Sequence, residues 1–206
     1  QDNMSYVPFI MKRIAPAIDL TLGISYYSGA RIDQYIDFFD NDTRVLMYSK
    51  INSGDTAWTT WGINTTTPQE GQKTIKEILA DEPWDIITIQ QGSAYMASWS
   101  SFTGLNTWID KIISYERSQG LRHVRIGWLM PQMRKPQEYI SANYTFENMI
   151  DCVQKVIATS PCSFVIPCGT AIENARGTSL DSLGAYASDA PDGKGHLCYD
   201  TKTGEI

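Results

Sequence analysis

Apolar residues at helical spacing open the chain: Met4, Val7, Ile10, Met11 and Ile14 predict a helix, with Pro8 confining regular structure to its own turn and the residues after it. From Ile18 to Tyr27 the pattern changes to alternation with β-rich composition, broken by Ser28-Gly29-Ala30, which predicts a strand ending in a glycine turn. Ile32, Tyr35, Ile36 and Phe39 then share one helical face. Between Asp40 and Pro68, the runs Arg44 to Ser49 and Thr56 to Trp61 flank Asn52-Ser53-Gly54-Asp55 and predict a hairpin, read as an insertion. Ile75, Ile78 and Leu79 mark a helix, and Trp84 to Gln90 a compact apolar strand that runs into Gln91-Gly92-Ser93. Leu105, Trp108, Ile109 and Ile112 predict a helix, and His123 to Leu129 a strand ended by Pro131. The clearest helical face is Phe146, Met149, Ile150, Val153 and Ile157, succeeded by a short strand, Ser163 to Ile166, and a turn at Pro167-Cys168-Gly169.

Strands alternating with helices predict the α/β class, a parallel sheet covered on both faces. With no internal repeat and no low-complexity linker, residues 1–206 read as one domain. Open sheets of this kind meet their ligands at the carboxyl ends of the strands. The turns to search are therefore Ser28-Gly29, Gln90 to Ser93, Met130 to Gln132 and Gly169-Thr170.

Composition narrows the function classes. A hydrophobic content of 42 % in 206 residues is enough for a real core. A net charge of −6 and a pI near 4.9 leave no broad basic field for a nucleic acid. No apolar stretch approaches the roughly 20 residues that a membrane-crossing helix needs, so no transmembrane segment is expected. The charged fraction of 19 % is low, which points to an exported protein: periplasmic, cell-surface or extracellular. Cys152, Cys162, Cys168 and Cys198 contain no Cys-x-x-Cys pair, and with only two histidines in the chain no metal site is expected. Buried thiols are favoured over disulfides. Dinucleotide, P-loop, zincin and nucleophile-elbow motifs are all missing, so no cofactor is expected. Gln1 at the start and Gly204-Glu205-Ile206 at the end read as the limits of a processed or truncated piece.

Of the two histidines, His123 opens a predicted strand and has a structural reading. His196 comes directly after Asp192-Gly193-Lys194-Gly195. A carboxylate there fixes the imidazole tautomer and leaves the second nitrogen to take a proton from a hydroxyl; an ordinary solvated turn is the alternative. Trp58, Trp61, Tyr95 and Trp99 fall in loops or at the hairpin, where exposed rings stack on sugar faces.

Four segments in order, Tyr26-Tyr27-Ser28-Gly29, Trp84 to Ser93, Pro167 to Arg176 and the Asp-Gly stretch before His196-Leu197, resemble the SGNH (GDSL-like) hydrolase superfamily, in particular a bacterial domain-of-unknown-function branch of it. The resemblance implies a flavodoxin-like three-layer α/β/α sandwich and serine ester hydrolysis, often of acyl groups on carbohydrates or lipids. It puts the nucleophilic Ser in a turn after a first strand, ahead of Gln1; Ser5 is nearest but matches nothing of that turn. It further implies an oxyanion hole from the Gly29 N–H and the amide of Gln91, or of Gln90 instead, since alternation lets only one of the two face the site. His196 matches the general base. Asp192 stands one residue further from it than the family's Asp-x-x-His spacing, with Asp189 the fallback acid. Ser93, Thr170, Asn174 and Arg176 are the substrate-binding candidates, Arg176 for a substrate carboxylate. The expected activity is esterase action on a small-molecule or glycan ester. The rival reading is a non-catalytic carbohydrate-binding or cell-surface protein on the same fold.

Overall fold

The computed structural model describes residues 14–52, 54–61, 71–92, 94–121, 123–132, 144–175 and 178. The chain is a mixed α/β structure whose contacts gather into two units, residues 1–28 with 37–82, and residues 29–36 with 83–206.

The first unit is built on an antiparallel sheet in the order β1 (Leu22–Tyr26), β2 (Met47–Ile51), β3 (Thr59–Trp61). Leu22 pairs with Ile51 and Tyr26 with Met47, while Tyr48 pairs with Trp61. This corrects two expectations. The hairpin is not a separate insertion, because its first strand is the centre of the sheet. Nor does β1 join the parallel ladder: it is shorter than the predicted Ile18 to Tyr27 and pairs antiparallel, with Ile18 half exposed before it begins. The alternation in 22–26 is that of a one-sided strand, which antiparallel sheets use and fully covered parallel strands do not. The hairpin turn closes as its composition demands, with the Asp55 N–H donating to the Asn52 carbonyl at 2.9 Å and the Asn52 N–H to Asp55 Oδ2 at 2.8 Å.

The helix α1 (Ile32–Asp40) begins among the residues of the second unit and ends among those of the first. The short helix α2 (Ile75–Leu79) survives at five residues because both halves of a capping box are made: Thr74 Oγ1 accepts from the Glu77 N–H, and Glu77 Oε2 accepts from the Thr74 N–H.

The second unit holds the parallel sheet, β4 (Ile86–Ile89), β5 (Arg125–Leu129) and β6 (Phe164–Ile166), in that order. The helices α3 (Leu105–Ser118), α4 (Phe146–Thr159) and α5 (Cys168–Ala175) come after the strands as crossovers require. Its interior is filled by Trp128, Met130, Ile109, Ile112, Met149 and Val156, all at most 1 % exposed. On α4 the inward stripe runs through Met149, Cys152 and Val156, so Ile157, expected on that face, is turned outward at 41 % exposure. Pro167-Cys168-Gly169, expected as a turn, instead starts a helix: Pro167 stands just ahead of it and its carbonyl accepts the Ala171 N–H at 3.0 Å. Among the described residues no helix is long and apolar enough to cross a membrane, and no three His, Cys, Asp or Glu side chains gather as a metal site.

Candidate functional site

The carboxyl ends of the parallel strands carry two close backbone approaches, and each is possible only because a glycine stands there. At the end of β4, a Cβ on Gly92 would lie 2.7 Å from the carbonyl oxygen of Ala30. The turn after β1 and the turn after β4 therefore touch through their backbones. At the ends of β5 and β6, the Gly169 N–H donates to the Met130 carbonyl at 3.1 Å, and a Cβ on Gly169 would collide with the Pro131 carbonyl oxygen.

The two glutamines at the end of β4 part company, as alternation requires. Gln91 is fully buried. Its Oε1 accepts from the Gly92 N–H at 2.9 Å and the Ile32 N–H at 3.3 Å, and its Nε2 donates to the Ser101 carbonyl at 2.6 Å. Both ends of that amide are spent inside the protein, so the expectation that Gln91 donates to an oxyanion is corrected. Gln90 is exposed at the strand end. Gly29 is exposed too and takes a φ of 69°, the left-handed conformation that glycine adopts without strain.

Beside these turns lies a pair that the sequence did not single out. Arg31 donates to both carboxylate oxygens of Asp33, at 2.9 and 2.6 Å, and its guanidinium sits 5.6 Å from the centre of the Tyr95 ring. The bidentate bond from Arg31 holds the Asp33 carboxyl below the usual range. Ser101, the partner of Gln91, also escaped sequence reading. Its hydroxyl lies 2.7 Å from the carbonyl oxygens of both Tyr95 and Ser98 and has one proton to donate between them, and nothing in a serine-rich loop announces such contacts.

On α5, Thr170 is half-buried with its hydroxyl 3.4 Å from Met130 Sδ, while Asn174 is exposed a turn further along. Cys168 at the start of that helix is a free thiol whose pKa burial raises. Cys152 and Cys162 are buried free thiols, with burial raising Cys152 to about 11. His123 pairs with Asp85 at 3.2 Å on the surface ahead of β5, the structural position expected of it. Of the aromatic candidates, Tyr95 is exposed, Trp58 is half-buried, and Trp99 stacks on Phe102 with ring centres 5.1 Å apart. His196, Asp192, Asp189, Ser93 and Arg176, like Cys198 and the Trp61 side chain, lie outside the described residues.

Residues 9–201, nearly the whole chain, match the family described as Domain of unknown function (DUF4886). The chain belongs to the DUF4886 family. No curated protein matches it. A crystal structure of a DUF4886 family protein from Bacteroides uniformis is similar, with a TM-score of 0.64 over 79 % of this chain at 22 % identity. At that identity the likeness speaks for the fold alone. The aligned part spans 61 % of that protein's length.

Proposed function

We propose that this DUF4886 protein is a serine esterase of the SGNH (GDSL-like) type, removing acetyl or other acyl groups from a carbohydrate outside the cytoplasm. Its frame is read as the flavodoxin-like α/β/α sandwich, with the parallel sheet of β4, β5 and β6 as part of the central layer. What supports the reading is the contact of the two strand-end turns, Gly92 against Ala30, beside which Gly29 and the Gln90 side chain are exposed at the ligand-binding end of an α/β sheet.

On this reading a serine hydroxyl attacks the ester carbonyl while His196 takes its proton, and Asp192 orients and stabilises the resulting imidazolium. The Gly29 N–H and the Gln90 side chain, rather than Gln91, hold the oxyanion of the tetrahedral intermediate. His196 then gives that proton to the departing sugar oxygen, which leaves as the free hydroxyl, and water releases the acyl group by the reverse sequence. Thr170 and Asn174, both on α5, together with Ser93 and Arg176, are the residues that would meet the substrate on this reading.

The test is labelling of the natural protein with a fluorophosphonate, the modified peptide being located by mass spectrometry, beside a His196→Ala control. A single labelled Ser whose reaction slows at least tenfold in the control supports the esterase. Absence of label, or a label indifferent to His196, removes it in favour of a non-catalytic carbohydrate-binding protein.

A further inference from the structure

The side chain of Gln91 is 0 % exposed, yet it is one of the few polar side chains in that position among the described residues, and its hydrogen-bonding capacity is matched to its surroundings atom by atom. Oxygen and nitrogen of the amide are distinguished by their partners. Two backbone N–H groups, those of Ile32 and Gly92, point at Oε1, whereas a carbonyl, that of Ser101, faces Nε2, with Ser101 Oγ a further 3.4 Å contact. Reversing the amide would set donor against donor and acceptor against acceptor. Neither a carboxylate, which has no N–H for the Ser101 carbonyl, nor a methionine, which has no strong acceptor, can reproduce the set.

The partners also belong to three separate stretches of chain. Ile32 opens α1 directly after the Gly29 turn, Gly92 belongs to the turn after β4, and Ser101 lies in the 3-10 segment Trp99–Phe102. A buried glutamine that merely satisfied its own polarity could do so on one neighbour. Here one oxygen is shared by two turns distant in sequence, at the place where Gly92 lets those turns approach more closely than a side chain would permit.

We propose that Gln91 is the positioning residue of the site, a buried strap that sets the distance between the Gly29–Ile32 turn and the Gln90–Gly92 turn. It touches no substrate. Its consequence for catalysis rests on the esterase reading: the Gly29 N–H and the Gln90 amide can converge on one oxyanion only if their two turns keep a fixed separation, and a displacement of about 1 Å can cost about a hundredfold in rate.

The strap is tested apart from the activity. In Gln91→Met, of similar length but without the amide, the protection of the Ile32 and Gly92 amides against hydrogen exchange should fall together, by tenfold or more, while the Ile109 and Ile112 amides within α3 keep theirs. Gln91→Glu supplies the second variant. Its neutral acid offers both a carbonyl oxygen and a hydroxyl donor, so protection at Ile32 and Gly92 should approach the native level at pH 5, and be lost at pH 8 where a carboxylate would face the Ser101 carbonyl. Each protection factor is taken relative to the intrinsic exchange rate at its pH. If either amide keeps its protection in Gln91→Met, or if Gln91→Glu shows no recovery at low pH, the strap is wrong. Should Gln91→Met fail to fold, the pH dependence of Gln91→Glu decides alone. Fluorophosphonate labelling of the same variants then reads the consequence, with an expected tenfold or greater slowing in Gln91→Met. If the native protein takes no label, the esterase reading falls and the exchange result still judges the strap.

Discussion

The two sheets of this chain are held by opposite means. In the antiparallel sheet, side chains reach out to fasten the strands. The Tyr48 hydroxyl donates to Asp81 at 2.8 Å, Lys50 bridges Asp81 and Glu82 at 2.7 and 2.8 Å, and the Ser49 and Thr60 hydroxyls meet across β2 and β3 at 3.0 Å. In the parallel sheet the fastening is by removal of side chains. Gly127 on β5 lies beneath the Phe164 ring, Gly169 beneath the Pro131 carbonyl, and Gly92 against Ala30. Partly exposed ion pairs tolerate repositioning and are worth little each, whereas backbone packed on backbone fixes position. A site that must hold N–H groups in place belongs with the second kind of construction, and that is where the exposed Gly29 and Gln90 are found.

The sharpest way to break this contrast is to add one methyl group on each side of it. Gly169→Ala places a Cβ into the Pro131 carbonyl, where neither partner is a movable side-chain tip, and should cost about 3 kcal/mol. Gly54→Ala, in the hairpin turn of the first unit, meets open space without a positive φ and should be neutral or slightly stabilising, by less than about 1 kcal/mol. Urea denaturation of the two variants measures both. Equal effects would show that close backbone approach does not distinguish the two regions.

How much of this was legible in the sequence depends on whether the deciding contact is local. The face of α3 was legible from spacing, since Leu105, Trp108, Ile109 and Ile112 are all buried as periodicity demands, whereas of the face expected on α1 only Ile32 is buried. The turn at Asn52 to Asp55 was legible because its hydrogen bonds are made by its own residues. The partner of β1 was not. Alternation says that a strand has one buried face, but pairing with β2 rather than a parallel neighbour is decided by residues about 25 positions away. At the site, alternation predicted that Gln90 and Gln91 would face opposite ways, yet which one turns inward is settled by Ile32, 59 positions distant, and by Ser101. Long-range polar complementarity leaves no periodic trace.

A second measurement uses a defect in the parallel-sheet unit. Glu116 on α3 is fully buried, and among the described residues neither carboxylate oxygen has a hydrogen-bond partner. Burial raises its pKa above the ordinary 4.5, with the charge of His123, itself paired to Asp85, pulling weakly the other way. The folded protein therefore holds a proton that the unfolded chain releases, and stability is complete below the ordinary carboxyl range and lost as pH rises through the raised value. Glu116→Gln removes that loss. Its stability should match the parent near pH 4 and exceed it at pH 8, read from denaturation curves across that range. A parallel pH dependence of the two proteins would mean that Glu116 is solvated in solution.

The smallest expected effects return to the first unit and separate two polar devices that share Glu77. In the capping box, Thr74 Oγ1 satisfies the Glu77 N–H of a helix only five residues long, so the bond answers one of the first-turn donors that a helix leaves without an intrahelical acceptor. Thr74→Ala should cost about 1 kcal/mol. Arg44 touches the same Glu77 through an ion pair and also donates to the Gln72 carbonyl at 2.8 Å, with over a third of its side chain in solvent. Arg44→Met should cost under about 0.5 kcal/mol, and less in 0.5 M salt, because water and ions replace what it loses. Thermal unfolding at low and high salt tells them apart: the Thr74→Ala loss should persist in salt while the Arg44→Met loss shrinks. If Arg44→Met proves the costlier and insensitive to salt, the charged fastenings of the antiparallel sheet fix position as firmly as the glycine contacts do, and the contrast between the two regions would no longer identify where a site can be built.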